Sequence, residues 1–518
     1  MANEANLTTK APVVEKQTGH PRGLSTLFLT EMWERFSYYG MRALLTLFMV
    51  APVAAGGLGY DNKRAGLIYG TYTMSVYMLS IPGGFIADNF LGARRSVLYG
   101  GMVIALGHFT LALHADWAFY LGLVLIALGT GLLKPNISAM VGGLYAQGDA
   151  RRDAGFSIFY MGINLGAFTA PLVTGWLAQS EGFKAVLTRW GFDPLHSWHW
   201  GFAAAGVGMT LGLIVYLWSG HRLAAVGHPP ASEGPRPWGK LLLVLVGAAA
   251  LFGFTRISDT NPKLEWLRYG YVVIPIVAIL WFGFHRNPDF KRIAAVLVFS
   301  LAALIFWAIF EQAGSTISLF SDQLTDRTLP NGGIINLLGW KLNLGSPFPS
   351  AWFQSVNSLF VILLAPVFAW LWVRLGHRQP SAPTKFVLGL VFLGLSFLLM
   401  VPAARLTVNH QVSPFWIVGL FFLQTVGELC LSPVGLSTMT KLAPARLVGL
   451  VMGIWFLAAA LGNKLAGVLA GDFTATNGNE LARFFLHQAL WVAAATVALL
   501  ACVPWVKRLM GPGGPDRV

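Results

Sequence analysis

Apolar runs of about 20 residues recur along the whole chain between short polar stretches, the spacing a bilayer imposes on helices that cross it. The pattern predicts spans near 26–51, 64–88, 94–114, 116–145, 153–179 and 197–220. A polar, proline-rich stretch at 221–237 reads as a linker. Two further spans, near 238–255 and 269–286, carry no charge within the membrane and read as accessory. Six more follow near 292–321, 351–376, 384–403, 415–441, 446–472 and 483–508. The expected organisation is a tail at 1–22, a six-helix bundle at 23–220, the linker, an accessory pair at 238–286, a second six-helix bundle at 287–510 and a tail at 511–518. Fourteen transmembrane helices, an even number, place both termini on one side. The first 22 residues lack the short apolar core of a cleaved signal, so the first helix is expected to be retained.

One span breaks the apolar pattern. At about 100° per residue, Glu31, Glu34, Arg35, Tyr38, Tyr39 and Arg42 share one arc of the first helix, while Trp33 and Phe36 point elsewhere. Each charge near a bilayer centre costs about 2.5–3.5 kcal/mol, so Glu31, Glu34 and Arg35 must face protein or a water-filled path. Three lone charges lie equally deep in other spans: Lys134 before Pro135, Glu311 after Phe310, and Glu428 after Gly427.

Composition agrees with a membrane protein: 55% of residues are hydrophobic, only 11% are charged, and mean hydropathy is +0.61. The net charge of +14 does not point to nucleic acid, because the basic residues lie in loops. With the amino terminus inside, 21 of the 36 lysines and arginines fall on the cytoplasmic side, 11 outside and 4 within helices. That bias puts both termini in the cytoplasm. Cys430 and Cys502 lie in apolar helices without a partner at ligand spacing, so neither a disulfide nor a metal site is expected. No nucleophile with its base converges in the spans, so an enzyme is not expected.

Two sets of six helices about a basic linker outline an all-α membrane protein of the major facilitator fold, with a substrate site between the halves at mid-membrane. Gly84 to Arg95, with Asp88, a tight turn at Gly92 and the Arg94–Arg95 pair, sits where it can lock neighbouring helix ends together. Counted together, Glu31, Glu34, Glu311 and Glu428 outnumber Arg35 and Lys134 by two charges. Burial favours keeping at least one carboxylate protonated, which opens a route to proton coupling. Basic groups cluster in the first half and uncompensated acids in the second. A cleft between them suits a zwitterion, its carboxylate toward Arg35 and Lys134 and its ammonium toward Glu428 or Glu311.

Glu31-x-x-Glu34-Arg35-Phe36-x-Tyr38-Tyr39-Gly40 resembles the signature of the proton-dependent oligopeptide transporter family, a branch of the major facilitator superfamily. Its companions are Phe159-Tyr160-x-x-Ile163-Asn164-x-Gly166, Phe310-Glu311-Gln312-x-Gly314-Ser315, Gly427-Glu428 through Ser432-Pro433-x-Gly435-Leu436, and Met452-Gly453-x-Trp455-Phe456 with Gly462-Asn463. The resemblance implies a bacterial inner-membrane symporter that imports di- and tripeptides with protons by alternating access, without a cofactor, and it is expected to work as a monomer. It assigns the peptide carboxylate to Arg35 and Lys134, the amino terminus to Glu428, and peptide hydrogen bonds to Asn164 and Asn357. Glu31, Glu34 and Glu311, with Arg35 and Lys134, would couple protons, and Tyr38, Tyr39, Tyr77, Trp307, Trp455 and Phe456 would line side-chain pockets. The chain departs from the family at Asn357-Ser358, where Asn-Pro is usual, and it has no histidine in the second span; His108 reads as packing. Arg42 is expected to pair with Asp322 as an extracellular gate, and Lys464 reads as polar glue. A proton-coupled carrier of the same fold for another substrate, such as nitrate or a small organic anion, is the alternative, which Glu31, Glu34 and Glu428 disfavour.

Overall fold

A computed structural model describes residues 19–511 apart from 147, 148, 150, 225, 230–235, 338, 339, 444–447 and 475. Helices α1 (Gly23–Val50), α2 (Asn62–Met78), α3 (Ser80–Ile86), α4 (Ala93–Leu111), α5 (Asp116–Gly143), α6 (Arg152–Gln179), α7 (Glu181–Arg189) and α8 (Ser197–Trp218) pack as one bundle. Helices α9 (Trp238–Thr260) and α10 (Gly270–Gly283) form a pair lying between the bundles in the chain, α9 touching α3 and α10 packing on the helix that follows it. A second bundle comprises α11 (Pro288–Phe310), α12 (Thr316–Gln323), α13 (Gln354–Leu375), α14 (Ala382–Leu406), α15 (Phe415–Leu442), α16 (Val448–Ala470) and α17 (Gly478–Met510). Each bundle buries its own apolar residues, with Phe48, Phe202 and Met209 in the first and Phe299, Phe386 and Phe485 in the second.

Among the described residues, eleven helices are long and apolar enough to cross a membrane. Helix α1 is not one of them, because Glu31, Glu34, Arg35 and Arg42 interrupt its apolar run. Two predicted spans turn out to be broken. The span at 64–88 divides at Leu79, where Pro82 at i+3 has no N–H to donate and its ring crowds the carbonyl of Met78. The span at 292–321 divides at a 3-10 turn, Glu311–Gly314. Gly314 allows this crossing: a Cβ there would lie 2.1 Å from the Tyr69 hydroxyl oxygen. The predicted pattern also missed the short helix α7, whose N-cap Ser180 accepts from the Gly182 amide at 3.1 Å, and an antiparallel hairpin, Ile334–Leu337 with Trp340–Asn343.

The bundles meet through α2 against α16, α6 against α13 and α1 against α12, all in the half of the molecule farther from the termini. Backbones touch where glycines permit: a Cβ on Gly66 would lie 2.3 Å from the Gly467 carbonyl oxygen, and one on Gly467 2.3 Å from that of Gly66. Polar bonds occupy the same level. Thr46 Oγ1 donates to the Gly314 carbonyl at 2.8 Å, Asn62 Nδ2 to that of Phe473 at 2.9 Å and Trp352 Nε1 to that of Leu172 at 3.0 Å.

Candidate functional site

Packing of α1 decides where its charges point. The Phe36 ring fills the notch at Gly208 on α8, where a Cβ would lie 2.4 Å from the ring, and the Met32 carbonyl lies against Gly166 on α6. With those flanks covered, Glu31, Glu34, Arg35, Tyr38 and Arg42 are buried inside the protein rather than offered to lipid. Arg35 Nε bonds Glu31 Oε1 at 2.7 Å and lies 2.8 Å from Glu34 Oε2. Both Glu34 oxygens and Glu31 Oε2 are buried without a hydrogen-bond partner. This is a cation shared by two carboxylates, of which only Glu31 is hydrogen-bonded to it.

Lys134 lies on α5, where Pro135 interrupts the helix ladder. It is half-buried, and its ammonium sits 3.8 Å from the Tyr77 ring centroid rather than against a carboxylate. Arg35, Glu34, Glu31 and Glu311 all lie within its electrostatic reach. In the other bundle, Asn357 Nδ2 donates to Glu428 Oε2 at 3.2 Å and to Thr425 Oγ1 at 3.0 Å. Asn357 is therefore aimed at Glu428 even though no proline follows it. The two walls converge on half-buried Tyr39, which feels Arg35 and Arg42 from its own helix and Glu311 and Glu428 from across the interface. Asn164 spends its amide on the Tyr160 carbonyl at 3.0 Å.

The predicted aromatics separate into two groups. Tyr39, Tyr77, Trp307 and Phe456 remain half-buried; Tyr38 is buried under the Arg35 guanidinium, 5.7 Å from its ring centroid. Trp455 is packed among hydrocarbon, against Gly435 and edge-to-face on Phe386 with centroids 6.3 Å apart. Its surroundings are those of a core residue.

The expected Arg42–Asp322 pair does not form. Arg42 instead pairs with Glu311 across the two bundles, and its Nε donates to the Tyr69 hydroxyl at 2.7 Å. Asp322 accepts from Arg327 at 3.2 Å and from Ser350 Oγ at 2.8 Å. The 3-10 turn is the cause, since it brings Glu311 level with Arg42 and leaves Asp322 near the end of α12. Tyr69 was missed altogether. Its only sequence signal is its place between Gly66 and Gly70, a spacing that marks close helix approach.

The accessory pair also differs from expectation, for α9 runs on to Thr260 and brings a charge to the interface. Asp259 pairs with Lys464 of α16, whose ammonium also donates to Thr71 Oγ1 at 2.7 Å, and Arg268 reaches Asp259 at 3.4 Å. Lys464 is 1% exposed, so its charge depends on this carboxylate. Asp259→Asn should cost about 3–5 kcal/mol, the usual penalty for orphaning a buried ion. Thermal melts in detergent would register it as a lowered Tm, and Lys464→Met in the same chain should recover most of the loss; an unchanged melt for Asp259→Asn would refute the dependence. The Gly84–Arg95 motif locks helix ends as expected, but through Arg94, which donates to the carbonyls of Gly220 and Gly227 at 2.9 Å each, while Asp88 is exposed.

Comparison with known proteins places this geometry in a family. Residues 94–484 match the model of the POT family. The chain is 40% identical to the peptide transporter YePEPT of Yersinia enterocolitica over 97% of this chain and 98% of that one. A di-/tripeptide transporter of Lactococcus lactis is 35% identical over 95% of this chain and 97% of its own. The crystal structure of a mutant peptide transporter POT in complex with alafosfalin superposes with a TM-score of 0.79 at 40% identity, covering 96% of this chain and 97% of that one.

Proposed function

Because the chain belongs to the POT family and is a proton-coupled transporter of di- and tripeptides, we propose that it imports them by alternating access between two six-helix halves, 23–220 and 287–510. In this reading α1, the α2–α3 pair and α4 cross the bilayer beside the eleven apolar spans, making fourteen crossings, with the 238–286 pair accessory and the 221–237 linker and both termini cytoplasmic. The protein acts as a monomer in a bacterial inner membrane. Contacts concentrated on the outer half then correspond to a carrier closed to the outside and open toward the cytoplasm.

The peptide carboxylate takes Arg35 and Lys134, and the amino terminus takes Glu428, steadied by Asn357. Asn164 bonds the peptide backbone, and Tyr38, Tyr39, Tyr77, Trp307 and Phe456 form the walls. Protons pass through Glu31, Glu34 and Glu311, whose charge states respond to Arg35, Lys134 and Arg42. Supporting this above all is the opposition of two half-buried charges without ion-pair partners among the described residues, Lys134 on one wall and Glu428 on the other.

Glu428→Gln tests the assignment. A hydrogen bond to a charged group contributes about 1.5–3 kcal/mol, so KM for a dipeptide with a free amino terminus should rise roughly 10- to 100-fold. The KM for the amino-acetylated peptide should scarcely move. Equal losses for the two peptides would remove Glu428 from this role.

A further inference from the structure

A cavity of about 290 Å³ opens beside the ends of α4 and α8 nearest the chain termini, lined by Arg94, Arg95, Leu98, Tyr216, Leu217 and His228, among others. It lies far from the transport residues at mid-span. The Arg94 guanidinium donates to the Gly220 carbonyl, and neither Arg94 nor exposed Arg95 has a carboxylate partner among the described residues. Both arginines sit in the first turn of α4, which holds no acid and where the helix's own partial positive charge adds to theirs. The result is a concentration of positive charge in a recess, without an ion pair among the described residues.

Beyond the cavity the surface is apolar. From Arg95, the exposed residues Tyr99, Met102 and Leu106 follow one another along α4, and Leu217, Ile214, Leu211 and Val207 do so along α8. Exposed Trp218 marks the level of the membrane surface. An acyl chain laid along either row would bring its headgroup to the level of the arginines. We propose that this cavity binds the phosphate headgroup of an anionic phospholipid, with Arg95 and Arg94 on the phosphate and the acyl chains along α4 and α8.

Native mass spectrometry of the full-length protein released from nanodiscs of mixed phosphatidylglycerol and phosphatidylcholine tests this. Wild type should retain phosphatidylglycerol in preference to phosphatidylcholine. Arg95→Gln should lower that retention about fivefold, the effect of one interfacial basic residue. Arg374→Gln, which removes an exposed charge from the end of α13 on the same side, should leave it unchanged. Equal losses in the two variants, or equal retention of the two lipids, would overturn the site. Displacement of the lipid by millimolar inorganic phosphate would identify free phosphate as the occupant and overturn the lipid assignment.

Discussion

Uptake of a dipeptide against its gradient should vanish in Glu34→Gln, leaving only equilibration across the membrane. Glu34 is fully buried, 2.8 Å from the Arg35 Nε, with no hydrogen bond to either carboxylate oxygen. Glu31 competes for the same guanidinium at 2.7 Å, and Lys134 stands within reach without an ion pair among the described residues. A carboxylate paired by charge without a hydrogen bond can give up Arg35 to an arriving peptide carboxylate by taking a proton, and glutamine cannot change charge. In proteoliposomes with a gradient of one pH unit, each proton carried supports about tenfold accumulation, since tenfold corresponds to about 1.4 kcal/mol. Glu34→Gln should reduce that ratio to one while peptide counterflow continues. Lys134→Ala should lose counterflow as well, because it removes a binding charge. Concentrative uptake undiminished in Glu34→Gln would place the coupling proton elsewhere.

Arg42→Ala should open the side farther from the chain termini. The change leaves the Glu311 carboxylate, 3% exposed, without its cation at the level where the bundles meet. Breaking a buried pair from one side costs about 3–5 kcal/mol, and this pair exists only while α1 and the Glu311 turn are together. A penalty of about 3 kcal/mol confined to the closed arrangement would change the ratio of the two conformations more than a hundredfold. Spin labels at Leu113 and Thr328, on loops of opposite bundles at the end farther from the termini, should report longer distances by pulsed electron resonance. Arg42→Ala combined with Glu311→Gln should return part of the short-distance population, since the orphaned charge is then gone. A distance distribution unaltered by Arg42→Ala would show that the pair does not hold this side shut.

Residue order alone determined much of this protein. The run of apolar segments placed nearly every helix, and several long motifs in order identified the family, because both signals are local. The angular position of a side chain on α1 is local as well: with 100° per residue fixed by backbone hydrogen bonding, Glu31, Glu34, Arg35, Tyr38 and Arg42 had to share a face. Their burial followed from the cost of charge in lipid.

Tertiary structure decided the partners. Arg42 met Glu311 rather than Asp322 because a helix broke where Tyr69 crosses Gly314, and neither Tyr69 nor the break is visible in the period of α11. Trp455 joined the core because Gly435 leaves space for its ring. Asp259 reached Lys464 because α9 continued past its expected end at 255 as far as Thr260. In each case the deciding quantity was the distance between segments far apart in the chain, and a contact of that kind depends on how two surfaces fit, which no single helix encodes.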